Sequence, residues 1–171
     1  MRYSFALMTL EQAHVVSAWR YDPPYDFYNP SADPDDLQEL LNRDAPYYAA
    51  TDEGGDLIGF FCFRSAAQTL GGLLSGAYAD PDALDVGLGM RPDLTGRGLG
   101  AGFIEAGLAF ARATFNPASF RLSVATFNRR AIRAYERAGF RAGQTFMSHT
   151  SSGLHEFMAM TRPQGLSLEK A

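Results

Sequence analysis

The segment Leu88-Gly-Met-Arg-Pro-Asp-Leu-Thr-Gly-Arg-Gly-Leu-Gly-Ala101 constrains the chain more than any other. A β-rich run passes through Pro92 into Gly96, Gly98 and Gly100, and an alanine-rich helical stretch follows from Phe103 to Thr114. Such a strand-turn-helix junction points unpaired backbone N–H groups and the positive helix end at one spot. Glycine lets an anion come close, so the segment has the form of a pyrophosphate cradle. Three phosphate readings compete. Gly96, Gly98 and Ala101 fit the dinucleotide pattern G-x-G-x-x-G/A, but no acidic residue lies between Glu105 and Glu136, where that fold places its ribose ligand. A P-loop needs a lysine, and 14 of the 15 basic residues are arginine, the lone lysine being Lys170. The same absence removes a Schiff-base lysine from the body of the chain. The third reading is an acyl-CoA cradle; beside all three stands a glycine-rich turn with no ligand.

Around this segment the pattern is that of one mixed α/β domain over residues 1–171. Arg2 to Met8 alternates as a strand, and Thr9 with Gln12 forms a capping box for a helix through Trp19. Tyr21 to Pro30 carries four aromatics among prolines that forbid a regular helix. Asp33-Pro34 starts a second helix with Leu37, Leu40 and Leu41 on one face. Pro46 to Thr51 and Leu57 to Arg64 make a hairpin around Gly54-Gly55, and Leu70 to Asp80 is expected to be a glycine-rich loop. A strand from Leu84 to Met90, the helix from Phe103, a strand from Phe120 to Thr126 and a helix from Arg129 to Ala138 follow. Two last strands, Phe140 to His149 and Leu154 to Thr161, turn at Ser151-Ser-Gly153.

The second informative segment is Asn128-Arg-Arg-Ala-Ile-Arg-Ala-Tyr-Glu-Arg-Ala-Gly-Phe140. Asn128 suits an N-cap, Ile132 and Tyr135 share a helix face, and Gly139 suits a C-terminal stop. With this segment the chain resembles the GNAT superfamily of N-acetyltransferases. The first family signature, Q/R-x-x-G-x-G/A, falls on Thr95 to Gly100, and the second, N-x-x-A-x-x-x-Y-x-x-x-G-F, is met in full by Asn128 to Phe140. Thr95 stands where the family usually has Gln or Arg.

The resemblance implies a twisted, mostly antiparallel sheet of about seven strands flanked by four helices and splayed at the fourth and fifth strands. It implies acetyl-CoA as cosubstrate and direct transfer to a primary amine in a ternary complex, without an acyl-enzyme. Backbone groups of Leu88 and Met90 are then expected to pair with the pantetheine arm. The amides of Gly96, Arg97, Gly98, Leu99, Gly100 and Ala101 are expected to hold the pyrophosphate, Arg97 also with its side chain. Asn128 would hydrogen-bond the pantetheine. Tyr135 would protonate the leaving thiolate, since a thiol leaves better than its anion; a core tyrosine is the plain alternative. Arg133 and Arg137 could reach the 3′-phosphate or simply face solvent. Asp85-Val-Gly-Leu-Gly-Met-Arg-Pro92 is similar to the E-I-G-Y-x-L-x-P strand of some family branches. This makes Asp85 a candidate base acting through water, against a solvated strand-edge aspartate.

The family places its acceptor near the first two helices, and here that region holds Trp19, Tyr21, Tyr25, Phe27 and Tyr28 with Asp22 and Asp26. Aromatic faces and carboxylates suit a cationic amine, though aromatics after a helix also cover core edges. Net charge is −4, split as −8 over residues 1–60 (3 basic, 11 acidic) and +4 over residues 61–171 (12 basic, 8 acidic). A polyanionic cofactor at the basic half and an amine-bearing small molecule or peptide at the acidic half fit that split. Nucleic acid is not expected as a partner, nor a membrane, because no apolar run approaches the roughly 20 residues of a span. The chain opens at Met1 without a leader-like stretch, which points to a cytoplasmic protein; homodimers are common in the family. Cys62 is the only cysteine and reads as a small core residue. His14, His149 and His155 lack ligand spacing, so no metal is expected. The reading from another class is a catalytically idle acyl-CoA-binding or sensing domain; a protein N-terminal amine is the alternative acceptor.

Overall fold

Local signals start the chain as the sequence requires. Strand β1 (Ser4–Leu7) leads into helix α1 (Leu10–Ser17), where the Thr9 hydroxyl accepts from the Gln12 amide and the Gln12 side chain accepts from the Thr9 amide. This reciprocal cap satisfies two donors of the first turn. A 3-10 turn, Tyr25–Tyr28, then precedes α2 (Pro34–Leu40), which the Asp33 carboxylate caps through the Asp35 amide. The computed structural model describes residues 2–30 and 33–165; Lys170 lies outside them.

The strands that follow are β2 (Tyr47–Thr51), β3 (Leu57–Phe63), β4 (Ala83–Met90), β5 (Ser119–Ala125), β6 (Arg141–Thr150) and β7 (Gly153–Pro163). Between them lie α3 (Leu70–Leu74), α4 (Gly100–Phe115) and α5 (Arg129–Arg137). Among the described residues the seven strands form one sheet in the order β1-β2-β3-β4-β5-β7-β6, antiparallel except for β4 with β5. The mixed α/β sheet expected from the sequence is therefore present. Two details differ. The glycine-rich stretch expected as a loop contains α3, because the Thr69 hydroxyl accepts from the Gly72 amide and caps a short turn, so five α-helices flank the sheet among the described residues. Helix α4 begins at Gly100, three residues before Phe103, because the first turn already takes helical form there.

The two faces of the sheet carry separate cores. Phe61, Phe63, Val86 and Phe120 pack under Phe103, Ile104, Leu108 and Ala111 of α4 and Ile132 of α5. Met8, Tyr47, Ala49 and Cys62 pack under Ala13 and Val16 of α1 and Leu40 of α2, with Trp19. Fully burying side chains of this size contributes about 1.5–3 kcal/mol each, so both faces are firmly held. Between them, β4 and β5 share only three rungs: Ala83 with Ser119, Leu84 with Phe120 and Asp85 with Arg121. Beyond Asp85, β4 continues to Met90 paired only with β3, and β5 continues to Ala125 paired only with β7. The sheet is open there, and the edges of both strands face a common gap.

Candidate active site

The gap between β4 and β5 opens into a cavity of about 980 Å³. Val86 to Met90 and Ser123 and Val124 form its floor, and the N-terminal ends of α4 and α5 close one side. Leu88 and Met90 thus lie where an added extended chain would pair. Gly96, Gly98, Gly100 and Ala101 line the same space. Gly96 and Gly98 have φ of +75° and +80°, the left-handed region that side chains rarely adopt. No side chain caps the N-terminus of α4, so its first amides have no internal acceptor and sit at the positive helix end. An uncapped sixteen-residue helix behind two left-handed glycines fits a diphosphate.

Arg97 and Leu99, between the lining glycines, do not themselves line the cavity. Arg97 is exposed and lies near Asp93, whose carboxyl is held below the usual range first by the Arg91 hydrogen bond and further by the charge of Arg97. Thr95 braces the turn through its hydroxyl, which donates to the Pro92 carbonyl at 2.7 Å.

Helix α5 contributes the second wall. Asn128 accepts from the Ala131 amide at 3.0 Å, as an N-cap does, and donates to the Tyr28 hydroxyl at 3.2 Å. Arg133 and Arg137 line the cavity from this helix. Tyr135 also reaches it, its ring edge-on to Phe140 at 6.0 Å, and no hydrogen bond holds its hydroxyl among the described residues. Its recessed position raises the phenol pKa, by desolvation first and by Tyr28 second, so it stays protonated and can donate.

The remaining wall is aromatic. Trp19 stacks with Phe60 at 6.1 Å, and Tyr21, Tyr25 and Tyr28 line the cavity with them. The Tyr21 hydroxyl donates to the Met90 carbonyl at 2.8 Å. Phe27 does not belong to this wall. A 3-10 turn has three residues per turn, so Tyr25 and Tyr28 share a face while Phe27 points elsewhere. It packs instead on Phe127, His155 and Phe157 at 5.3, 4.7 and 6.2 Å. Asp22 and Asp26 are likewise absent from the lining; its acidic groups are Asp36 and Glu39 of α2. The Tyr47 hydroxyl donates to Glu39 at 2.8 Å, and burial raises the pKa of that phenol. Sequence reasoning missed Asp36, Glu39 and Arg130. The i, i+3 spacing of the two carboxylates on α2 is the available signal, alongside the leucine face of that helix.

Asp85 is also placed differently. It is only 4% exposed, and its carboxylate accepts from Arg121 Nε at 2.6 Å, Arg121 Nη2 at 3.1 Å and Gln68 Nε2 at 2.6 Å. It lies outside the cavity, on the last rung before the strands part. The carboxylate is thus held by Arg121 and Gln68 and does not face the cavity. Cys62 is buried under α1 and α2, and burial pushes its thiol up to about 12, which leaves it inert.

With this geometry in place, residues 13–140 match the acetyltransferase (GNAT) family. The chain belongs to that family. As a GNAT protein it is an acetyl-CoA-dependent N-acetyltransferase. Solved structures with the same fold include spermidine N-acetyltransferase from Vibrio cholerae in complex with CoA and spermine, 17% identical, with a TM-score of 0.71 over 95% of this chain and 96% of that one. Aminoglycoside acetyltransferase AAC(6')-Ib with parmomycin and acetyl-CoA is 20% identical, with a TM-score of 0.73 over the whole of both chains. Its complex with coenzyme A is 21% identical, with a TM-score of 0.68 over 94% and 95%. Among curated proteins, no sequence matches the chain. No described helix is long and apolar enough to cross a membrane.

Proposed function

We propose that this GNAT chain acetylates a primary amine carried by a small cationic molecule, by direct attack in a ternary complex. One observation carries the reading. A single cavity joins an open strand edge and an uncapped helix N-terminus on one side to an aromatic wall bearing Asp36 and Glu39 on the other. The first side suits a polyanion with an extended arm, and the second suits an ammonium through cation–π and ionic attraction. Spermine and parmomycin, bound by the structural relatives, are both polycationic amines, the chemistry such a wall suits.

Acetyl-CoA supplies an activated thioester carbonyl. The amine nitrogen forms the new C–N bond, the C–S bond breaks, and the electron pair leaves on sulfur. Tyr135 stands protonated in the cavity and donates to that sulfur, while Leu88 and Met90 hold the arm and the amides from Gly96 to Ala101 hold the diphosphate. Asn128 keeps one amide hydrogen beyond its bond to Tyr28 for the arm. The amine proton passes to cavity water, since Asp85 is held by Arg121 outside the cavity, and water returns a proton to Tyr135, so the acetylated amine and the free thiol leave with the chain unchanged.

Thiol release from acetyl-CoA, measured with spermine, an aminoglycoside and a peptide N-terminus, tests the reading. Turnover with the polycations and not with the peptide is expected. Tight CoA binding with no turnover on any amine would instead indicate an idle CoA-binding domain.

A further inference from the structure

Resting on the cofactor reading above, we propose that Arg130 couples the two sides of the cavity: the edge of its guanidinium binds the cofactor's diphosphate while its face holds Tyr25. Cofactor binding then orders the wall that receives the amine. Arg130 lies in the first turn of α5, two residues past the Asn128 cap. Its Cζ sits 3.9 Å from the centroid of the Tyr25 ring, the closest cation–π contact among the described residues. On the other side, its Nη1 lies 3.9 Å from where a β-carbon at Gly96 would stand. Arg130, Tyr25 and Gly96 all line the cavity, and the charge of Arg130 is felt at Tyr21, where it pulls the phenol pKa down against burial.

The chemistry of the side chain allows both contacts at once. A guanidinium stacks on an aromatic ring through its plane and presents five donors around its rim, so a diphosphate at the rim does not displace the ring at the face. An ammonium has no such division. Among the described residues, three contacts through a polar or charged group fasten the aromatic segment to the cofactor side: Tyr21 to the Met90 carbonyl, Tyr28 to Asn128 and Tyr25 to Arg130. Only the third is a charge, and therefore only the third strengthens its position when an anion arrives. Arg133 and Arg137 line the cavity without touching an aromatic ring among the described residues, so they can bind phosphate but cannot transmit its presence.

The test uses the full chain and CoA as the probe, with wild type, Arg130→Lys, Arg130→Ala and Tyr25→Leu. Calorimetry gives CoA affinity, and hydrogen exchange of residues 21–29, with and without saturating CoA, gives the order of the wall. That segment contains bonded amides at Tyr21, Tyr25 and Asn29, which make protection measurable. In wild type CoA is expected to slow exchange there. Arg130→Ala is expected to bind CoA about ten- to hundredfold more weakly, as loss of a charge-assisted bond does. Tyr25→Leu should stay within about fivefold of wild type in CoA affinity, yet lose the CoA-dependent protection. Arg130→Lys should retain binding better than Ala and still lose protection; it serves as the reporter if the alanine variant fails to fold. Equal CoA affinity in wild type and Arg130→Ala, or unchanged protection of residues 21–29 in Tyr25→Leu, overturns the proposal. Failure of the wild type to bind CoA overturns the cofactor reading itself, which separates the two.

Discussion

Replacing Asp85 separates two roles for the residue, a proton acceptor and a structural anion. Its carboxylate and the guanidinium of Arg121 are each only 4% exposed and share two hydrogen bonds, of 2.6 and 3.1 Å, on the last rung joining β4 to β5. Removing one partner of a buried pair leaves the other charge without compensation, at a cost of about 3–5 kcal/mol. Asp85→Leu is therefore expected to lower the melting temperature by about 6–20 °C, taking about 2–4 °C per kcal/mol for a chain of this size. Removing both charges with a volume-conserving pair costs far less, because no ion stays buried. The double variant Asp85→Leu/Arg121→Met should thus melt close to wild type. Gln68, which loses its carboxylate partner, is half-buried and can turn to water. Melting followed by circular dichroism, with thiol release from acetyl-CoA on the same samples, makes the comparison. If Asp85 is structural, the double variant keeps kcat within a few-fold of wild type. A double variant that melts like wild type but has lost about 10²-fold or more in kcat would refute this reasoning and return Asp85 to the chemistry.

Three further outcomes follow from the site. Tyr135→Phe keeps the ring and removes the donor, so kcat should fall by about 10²-fold while the KM for acetyl-CoA changes little; steady-state kinetics with varied acetyl-CoA shows the split. Glu39→Gln should raise the KM for a polycationic amine by about two- to fivefold, and the difference from wild type should shrink with added salt. Burial pushes the Tyr21 phenol up to about 12, so the folded chain holds a proton between pH 10 and 12 that the unfolded chain has lost. Stability is then complete below pH 10 and declines as pH rises through that window, by about 3 kcal/mol from this residue alone, as urea unfolding at several pH values would show.

The parts of the site written in local sequence were legible. Gly96, Gly98 and Gly100 at the mouth of a helix, and Asn128 with Tyr135 at fixed helical spacing, take their roles from short-range geometry, and the structure places all of them on one cavity. What escaped depends on partners distant in sequence. Asp85 looked like a strand-end carboxylate near the acceptor; its direction is decided by Arg121, 36 residues away, and by Gln68. Phe27 looked equivalent to Tyr25 and Tyr28, and only the three-residue repeat of the 3-10 turn sends it to the opposite side, onto Phe157. Glu39 and Arg130 were hidden for the same reason: a helix surface charge acquires meaning only when Tyr47 or Tyr25 is folded against it. The charge split between the two halves of the chain, which scatter alone could produce, corresponds here to arginines of α5 on one wall and carboxylates of α2 on the other.

CoA titration of wild type against Gly98→Trp asks whether the opened strands and the glycine turn before α4 form the cofactor site. Position 98 has φ of +80° and open space beside it, so a large side chain there disturbs the cradle without entering the core. CoA should bind the wild type and bind the variant at least about tenfold more weakly, with similar melting temperatures. Equal affinity for CoA in the two proteins would contradict it.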